Sequence, residues 1–284
     1  MKHALAVTLS VAFALGAFAL DGNITPWSGE TATNILRLVS YNVHHCAGAD
    51  KKLDFQRVAD VIMREKPDFV GLNEVDCCTK RSGNVDEAKE LGRITGLDAT
   101  FAKAIPLQGG SYGNAVLSRD EPLSVERIPL PGKEPRVLLL CEFKDFWFGT
   151  AHLDFGSHQL PSVEIIRGIV GEKSKAKPVF LAGDWNATPK SKTLAAMKDF
   201  MTVVSKENCR TYHGFKNHMA KDEYCIDYIS VDSVHAAKLK VNEAHVTSDI
   251  VTSDHNPIVV SVALERCAAR GSDPCDTVDV IRSN

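Results

Sequence analysis

Apolar and polar positions along the chain change period repeatedly, and the changes mark out strands alternating with helices. Ile35 to Val43, Phe69 to Val75 and Phe146 to Leu153 read as strands, and Val179 to Ala182 is a continuous apolar run of the kind buried on both faces. Between them, Asp98–Ala102, Asn114–Ser118, Leu123–Ile128 and Val137–Phe143 form short strands divided by Gly and Pro turns. Ile226–Val231, Leu239–Val246 and Ile258–Leu264 complete the set. Helical spacing appears over Phe55–Ile62, where Val58, Val61 and Ile62 share a face and Pro67 follows the stop. It recurs over Val85–Ile94, Val163–Val170 and Ser191–Met201, the last with Ser191 as its N-cap. Many strands with few helices predict an α/β fold in which two mixed sheets pack on each other and the helices lie outside.

Composition narrows the organisation. Of 284 residues 44% are hydrophobic, enough for a large core, and no Pro/Gly/Ser-rich linker divides them, so one domain is expected over residues 30–266. A polar tail, 267–284, follows. Residues 1–20 differ in kind. Lys2 precedes an uncharged run from Ala4 to Ala19, and Ala17-Phe18-Ala19 offers small residues for cleavage, which reads as a secretory signal peptide. The rival, a short uncleaved anchor, has a run of marginal length for crossing a bilayer. The mature chain is thus expected to be secreted or periplasmic, without a transmembrane segment, and monomeric.

Eight cysteines agree with export and suggest disulfides. The expected pairs are Cys209–Cys225, Cys267–Cys275, and Cys46 with Cys77 or Cys78, leaving Cys141 as a core thiol. No C-x-x-C pair or Cys/His spacing supports a zinc site. The net charge is −3 and the densest basic patch, Lys173 to Lys177, is short, which disfavours general nucleic-acid binding.

Candidate chemistry collects where apolar runs end. Asn42, Glu74, His152, the Asp184/Asn186 pair, and Asp227 with Asp254-His255 all stand at such ends. One Asn or Asp there is ordinarily a turn residue. A Glu inside an apolar run is different, because an unpaired buried carboxylate costs several kcal/mol, so Glu74 needs a cation, an Arg or solvent. The joint occurrence points to a hard cation and phosphoester chemistry.

The motifs S-Y-N-V at Ser40 to Val43, G-L-N-E-V at Gly71 to Val75, Y-G-N-A-V-L-S at Tyr112 to Ser118 and A-H-L-D at Ala151 to Asp154 occur in that order. G-D-W-N at Gly183 to Asn186, I-D-Y-I at Ile226 to Ile229 and S-D-H-N-P at Ser253 to Pro257 follow. Together they resemble the endonuclease/exonuclease/phosphatase family of metal-dependent phosphoesterases over about residues 35 to 264. The resemblance implies a four-layer α/β/β/α sandwich. It implies Mg²⁺ or Mn²⁺ held by Glu74, with Asn42 and Asp254 beside it. Asp184 then orients or deprotonates the attacking water, Asn186 helps hold that water or the phosphate, His152 and His255 bind phosphoryl oxygens, and Asp227 fixes the imidazole of His255. Tyr112 and Asn114 line the phosphate site, the alternative being a strand entry that Tyr112 merely packs.

A second set of segments, Val43-His44-His45, Arg81 to Asp86, Gln108 to Gly113 and Leu130 to Val137, resembles small exported members linked to phospholipid or glycosyl-phosphatidylinositol processing. The cysteines at Cys46, Cys77 and Cys78, and Phe155 after H-L-D, depart from that group at the rim of the pocket. Arg81, Lys103 and Arg136 are candidates for contacting an anionic substrate, since the planar fork of Arg suits phosphate; salt bridging to Glu or Asp is the alternative for each. The partner expected is a small-molecule or lipid phosphoester. A secreted nuclease and a non-catalytic exported binding protein are the alternatives. No G-x-S-x-G occurs, so a serine nucleophile is not expected.

Overall fold

The computed structural model of the protein describes residues 34–216 and 224–264. The expected signal peptide, the polar tail and the Cys267–Cys275 pair lie outside them. The described strands form two six-stranded mixed sheets.

In the first sheet, β1 (Asn34–Asn42) is flanked by β2 (Phe69–Cys77), which runs parallel to it, and by β12 (Ile258–Leu264), which runs antiparallel. β11 (Leu239–Val246) closes one edge, and β4 (Gly110–Ser118) with β3 (Asp98–Leu107) the other. In the second sheet, β8 (Val179–Asp184) lies between parallel β7 (Trp147–Ala151) and antiparallel β10 (Asp227–Asp232). β6 (Arg136–Glu142), β5 (Ser124–Leu130) and the short β9 (Met201–Val203) complete it.

Strand residues alternate between two buried environments. Leu36, Leu38 and Phe69 point between the sheets, where they join Phe148, Phe180, Ile229 and Val260. Val39, Tyr41 and Leu72 point outward and pack under α1 (Phe55–Arg64) and α2 (Glu87–Thr95) through Val58, Ile62 and Leu91. Leu138, Leu140 and Tyr228 of the second sheet pack likewise beneath α3 (Gln159–Lys173) and α4 (Lys192–Lys198), through Val163, Ile166, Leu194 and Met197. A strand covered on both faces has no solvent side to mark with polar residues, which is why the central strands read as unbroken apolar runs. The expected four layers are present. The sheets approach closely at Gly71, where an added Cβ would lie 2.8 Å from the Cβ of Ala182.

Local chemistry sets the ends of the elements. Asp54, Asp86 and Ser191 accept the N–H groups of Arg57, Lys89 and Leu194, capping α1, α2 and α4. α4 stops at Lys198, short of the expected Met201, which opens β9. β3 runs beyond the expected Ala102 to Leu107, and Gln108-Gly109, both with positive φ, turn it tightly into β4. A final short helix, α5 (Ser233–Ala236), follows β10. Among the described residues no helix is long and apolar enough to cross a membrane.

The cysteine expectations need correction. All six described cysteines are unbonded. Cys46 is fully buried against Glu87 rather than paired with Cys77 or Cys78, whose own sulfurs lie 3.8 Å apart. Cys209 and Cys225 do meet, with sulfurs 3.4 Å apart, as thiols. Cys141 is a buried core thiol, as expected.

Candidate active site

The ends of β1, β2, β7, β8 and β10, together with the segment entering β12, meet around one cleft of about 620 Å³. Its wall includes Glu74, His152, Asp184, Asn186, Asp254 and His255, which are spread over most of the sequence. Parallel neighbours β1 and β2 put Asn42 opposite Asn73, and antiparallel β8 and β10 put Asp184 opposite Asp227. Register alone therefore brings these groups into adjacent pairs.

Backbone irregularity aims two of them. A register shift between Leu72 and Val75 breaks the alternation of β2, and Glu74 within it has φ +58°. The bulge turns Glu74 toward the cleft in a strand that is otherwise buried up to its last residue, Cys77. Asn186 also takes a left-handed conformation, φ +47°. Non-glycine residues held there carry strain, which tends to collect at functional sites. Gly183 supports the next residue differently. Its φ is +141°, and a Cβ there would lie 2.0 Å from the carbonyl oxygen of Ala151, so only glycine lets β8 approach β7 and deliver Asp184.

The polar contacts form one network. Asn42 Nδ2 donates to Glu74 Oε1 at 3.0 Å and to Asp184 Oδ2 at 3.1 Å, while its side-chain Oδ1 accepts the N–H of His44. Asp184 Oδ1 accepts the N–H of Asn186, and Oδ2 lies 3.5 Å from His152 Nε2 and 3.6 Å from His255 Nε2. His255 Nδ1 lies 2.9 Å from Asp227 Oδ2. That hydrogen bond commits Nδ1 to donation and leaves Nε2 facing Asp184 and the cleft.

The two histidines differ electrostatically. Burial alone pushes the His255 imidazole down, but the carboxylates of Asp227 and Asp184 outweigh it and raise it to about 10. His152 is held well below its ordinary value by burial, by the Arg136 guanidinium and by His255. Donors face both of its ring nitrogens, Arg136 Nη1 at 3.3 Å and Asn186 Nδ2 at 3.0 Å. His255 is thus the cationic imidazole and His152 the neutral one. Burial, with the charge of Asp227, raises Asp184 to about 7.

The other predicted residues divide. Arg136 is buried beside the cleft, 2.7 Å from Glu134, and its Nε has no hydrogen-bond partner. Tyr112 lines the cleft, and Arg81 lies over its ring at 5.6 Å. Arg81 is also held by Asp76 through Nε at 2.6 Å and Nη2 at 2.8 Å, so the salt bridge weighed as its alternative is present. Asn114 does not line the cleft. It is buried between the sheets, donating to the carbonyl of Val137 and accepting from Asn73. Lys103 is exposed on edge strand β3 and is also no part of the cleft wall.

Sequence reasoning missed three contributors. Asn73 accepts the N–H of Asp184 at 2.8 Å and donates to Thr150, tying the sheets beneath the site. It stands next to Glu74 inside the same apolar run, which was the available signal. Tyr212 packs its ring 4.9 Å from that of His255, and Glu134 salts Arg136; both sit on loops where no periodicity marks them.

Solved structures share the fold. An endonuclease/exonuclease/phosphatase from Beutenbergia cavernae DSM 12333 superposes with a TM-score of 0.67 at 23% identity, covering 81% of this chain and 72% of that one. The mannosyl-6-phosphatase Bt3783 of Bacteroides thetaiotaomicron VPI-5482 gives 0.63 at 19% identity, covering 80% and 99%. D. rerio TDP2 complexed with a single-strand DNA product gives 0.60 at 18%, covering 80% and 98%. No curated protein sequence matches the chain. The family model for the Endonuclease/Exonuclease/phosphatase family matches residues 39–255, a span that takes in every polar side chain converging on the cleft, and the chain belongs to that family.

Proposed function

We propose that this protein is a divalent-metal-dependent phosphodiesterase that hydrolyses a lipid head group or another small phosphoester by in-line attack of water. The observation that carries the reading is the convergence of Glu74, Asp184 and His255, the last braced by Asp227, on one cleft.

The donor set fits a hard cation. Glu74 and Asp254 offer carboxylate oxygens at the cleft, the chemistry that suits Mg²⁺ or Mn²⁺, and Asn42 stands behind them with its amide nitrogen on Glu74. The buried Asp227 Oδ1 has no hydrogen-bond partner, and carboxylates outnumber the cationic groups against them. When bound, the cation polarises the phosphoryl group and offsets charge developing on its oxygens.

The residues of the chain divide the remaining work. Asp184, steadied by Asn42 and the Asn186 N–H, orients water and takes its proton. His255 presents Nε2–H to a phosphoryl oxygen, and Asp227 keeps that tautomer and charge. Arg136, which lines the cleft, offers its guanidinium to the same anion. A covalent serine route is disfavoured, because the Ser253 hydroxyl donates to the Asn42 carbonyl at 2.7 Å.

Substrate class follows from the walls. Ile105, Leu107, Tyr112, Phe155 and Tyr212 stand beside Arg81 and Arg136, so an apolar rim adjoins a cationic one. That combination suits a phosphoester bearing an organic group, and the net charge of −3 gives no basic track for a long polyanion. The leader-like residues 1–20 support export.

A panel of glycerophosphodiester, phospholipid, sugar monophosphate and plasmid DNA, each with and without EDTA, tests the reading. Chelator-sensitive release from the glycerophosphodiester or phospholipid, with intact plasmid, is expected. Rapid plasmid nicking lost in Glu74→Ala would make the protein a nuclease, and no hydrolysis of any member would favour a binding protein.

A further inference from the structure

Beneath the cleft wall lies a second group of donors. His45, Asp76 and Glu87 each offer a ligand atom, and the three atoms lie within 4.8 Å of one another. They come from the turn after β1, from β2 and from the first turn of α2. Glu87 is fully buried. Its Oε2 accepts the N–H of Asp76 at 2.8 Å, while its Oε1 is buried without a hydrogen-bond partner, the weak thiol donor of Cys46 standing beside the carboxyl group. The Nδ1 of His45 is buried and unpartnered as well. Buried polar atoms are nearly always satisfied, so two orphans within one group of potential ligands call for a partner.

We propose that His45, Asp76 and Glu87 form a second divalent-cation site, distinct from the Glu74 site, that takes a borderline transition ion of the Zn²⁺ class. One imidazole and two carboxylates match that class of ion, which accepts mixed nitrogen and oxygen donors. Mg²⁺ favours oxygen ligands and retained waters, and it is the poorer match. Burial, then the charge of Arg81, keeps His45 down at about 4, which is the neutral form a metal needs. Burial, with the charge of Asp76, lifts Glu87 to about 8. Linear spacing gave no sign of this site, because its donors are brought together by the fold rather than by a short motif.

The site connects to the cleft through one carboxylate. Asp76 accepts from Thr79 Oγ1 at 2.6 Å and holds Arg81, which lies over Tyr112 in the cleft wall. An ion on Asp76 therefore fixes the carboxylate that fixes Arg81, giving it a positioning role at the rim.

The test uses zinc alone and the full chain in a Glu74→Ala/His255→Ala background, so that the first site is disabled and turnover plays no part. Calorimetric titration of the metal-stripped protein with Zn²⁺ should show one equivalent bound in competition with an excess of Mg²⁺. Substitution with Co²⁺ should give visible absorption typical of nitrogen and oxygen ligation. Adding Glu87→Gln or His45→Gln should weaken binding at least ~10-fold and remove the absorption. Circular dichroism checks folding, and if Glu87→Gln does not fold, His45→Gln at the partly exposed ligand decides the matter. The proposal is overturned if the background protein binds no zinc, or if it binds equally well with the added substitution. Neither result bears on hydrolysis at Glu74, so the two readings fail separately.

Discussion

His255 Nδ1 sits 2.9 Å from Asp227 Oδ2, although one residue enters the last strand of the first sheet and the other opens β10 of the second. The pair joins the two sheets at the cleft. It also sets the state of the imidazole, because a proton committed to Asp227 leaves Nε2 to face the substrate. Asp227→Asn is expected to keep the fold, remove the counter-charge and lower kcat by at least ~10². Steady-state kinetics with circular dichroism checks this; near-normal kcat would show that the dyad is structural.

Arg136 is almost wholly buried, yet its Nε has no partner. A lysine keeps the charge but loses the planar fork. Arg136→Lys should raise KM roughly 10-fold and change kcat less. An unchanged KM would place Arg136 in the support of His152 alone.

Gly183 gives a prediction about stability. A methyl group there meets the Ala151 carbonyl at 2.0 Å, in a region of φ that side chains avoid. Gly183→Ala should cost about 1–3 kcal/mol from overpacking and displace Asp184, so thermal unfolding and activity should fall together. A variant as stable and active as the parent would contradict the close approach of β7 and β8.

The pattern of strands was readable because four layers bury both faces of the central strands, and motifs stood at their ends. What escaped was depth and side. Asn114 shares a face with Tyr112, but it lies two residues further along β4, about 7 Å at the usual rise, between the sheets rather than at their edge. Lys103 follows Ala102, which faces the inter-sheet core, so alternation sends the lysine to the opposite face of an edge strand. Lysine on such an edge guards against pairing with other chains. Tyr212 could not be read at all, since it reaches His255 from a loop through an isolated bridge.

Acid stability should report on a network remote from the cleft. Burial raises the Glu65 carboxyl, but Thr247, His245 and Arg37 outweigh it and hold the group below its ordinary value. A depressed folded pKa adds stability above the unfolded value, about 4.3, and that contribution is lost as pH falls through the folded value. The parent should therefore lose stability on acidification below about pH 5, and Glu65→Gln should be less stable at neutral pH with a flatter acid limb. Parallel unfolding curves for the two proteins from neutral to acid pH would contradict the assignment.

The most direct test measures hydrolysis of a glycerophosphodiester by the metal-stripped protein, by the same protein after Mg²⁺ or Mn²⁺ is restored, and by Glu74→Ala under both conditions. The account predicts turnover that disappears with EDTA, returns with the metal and is lost at least ~10²-fold in Glu74→Ala. Hydrolysis that survives both chelation and loss of the Glu74 carboxylate would contradict it.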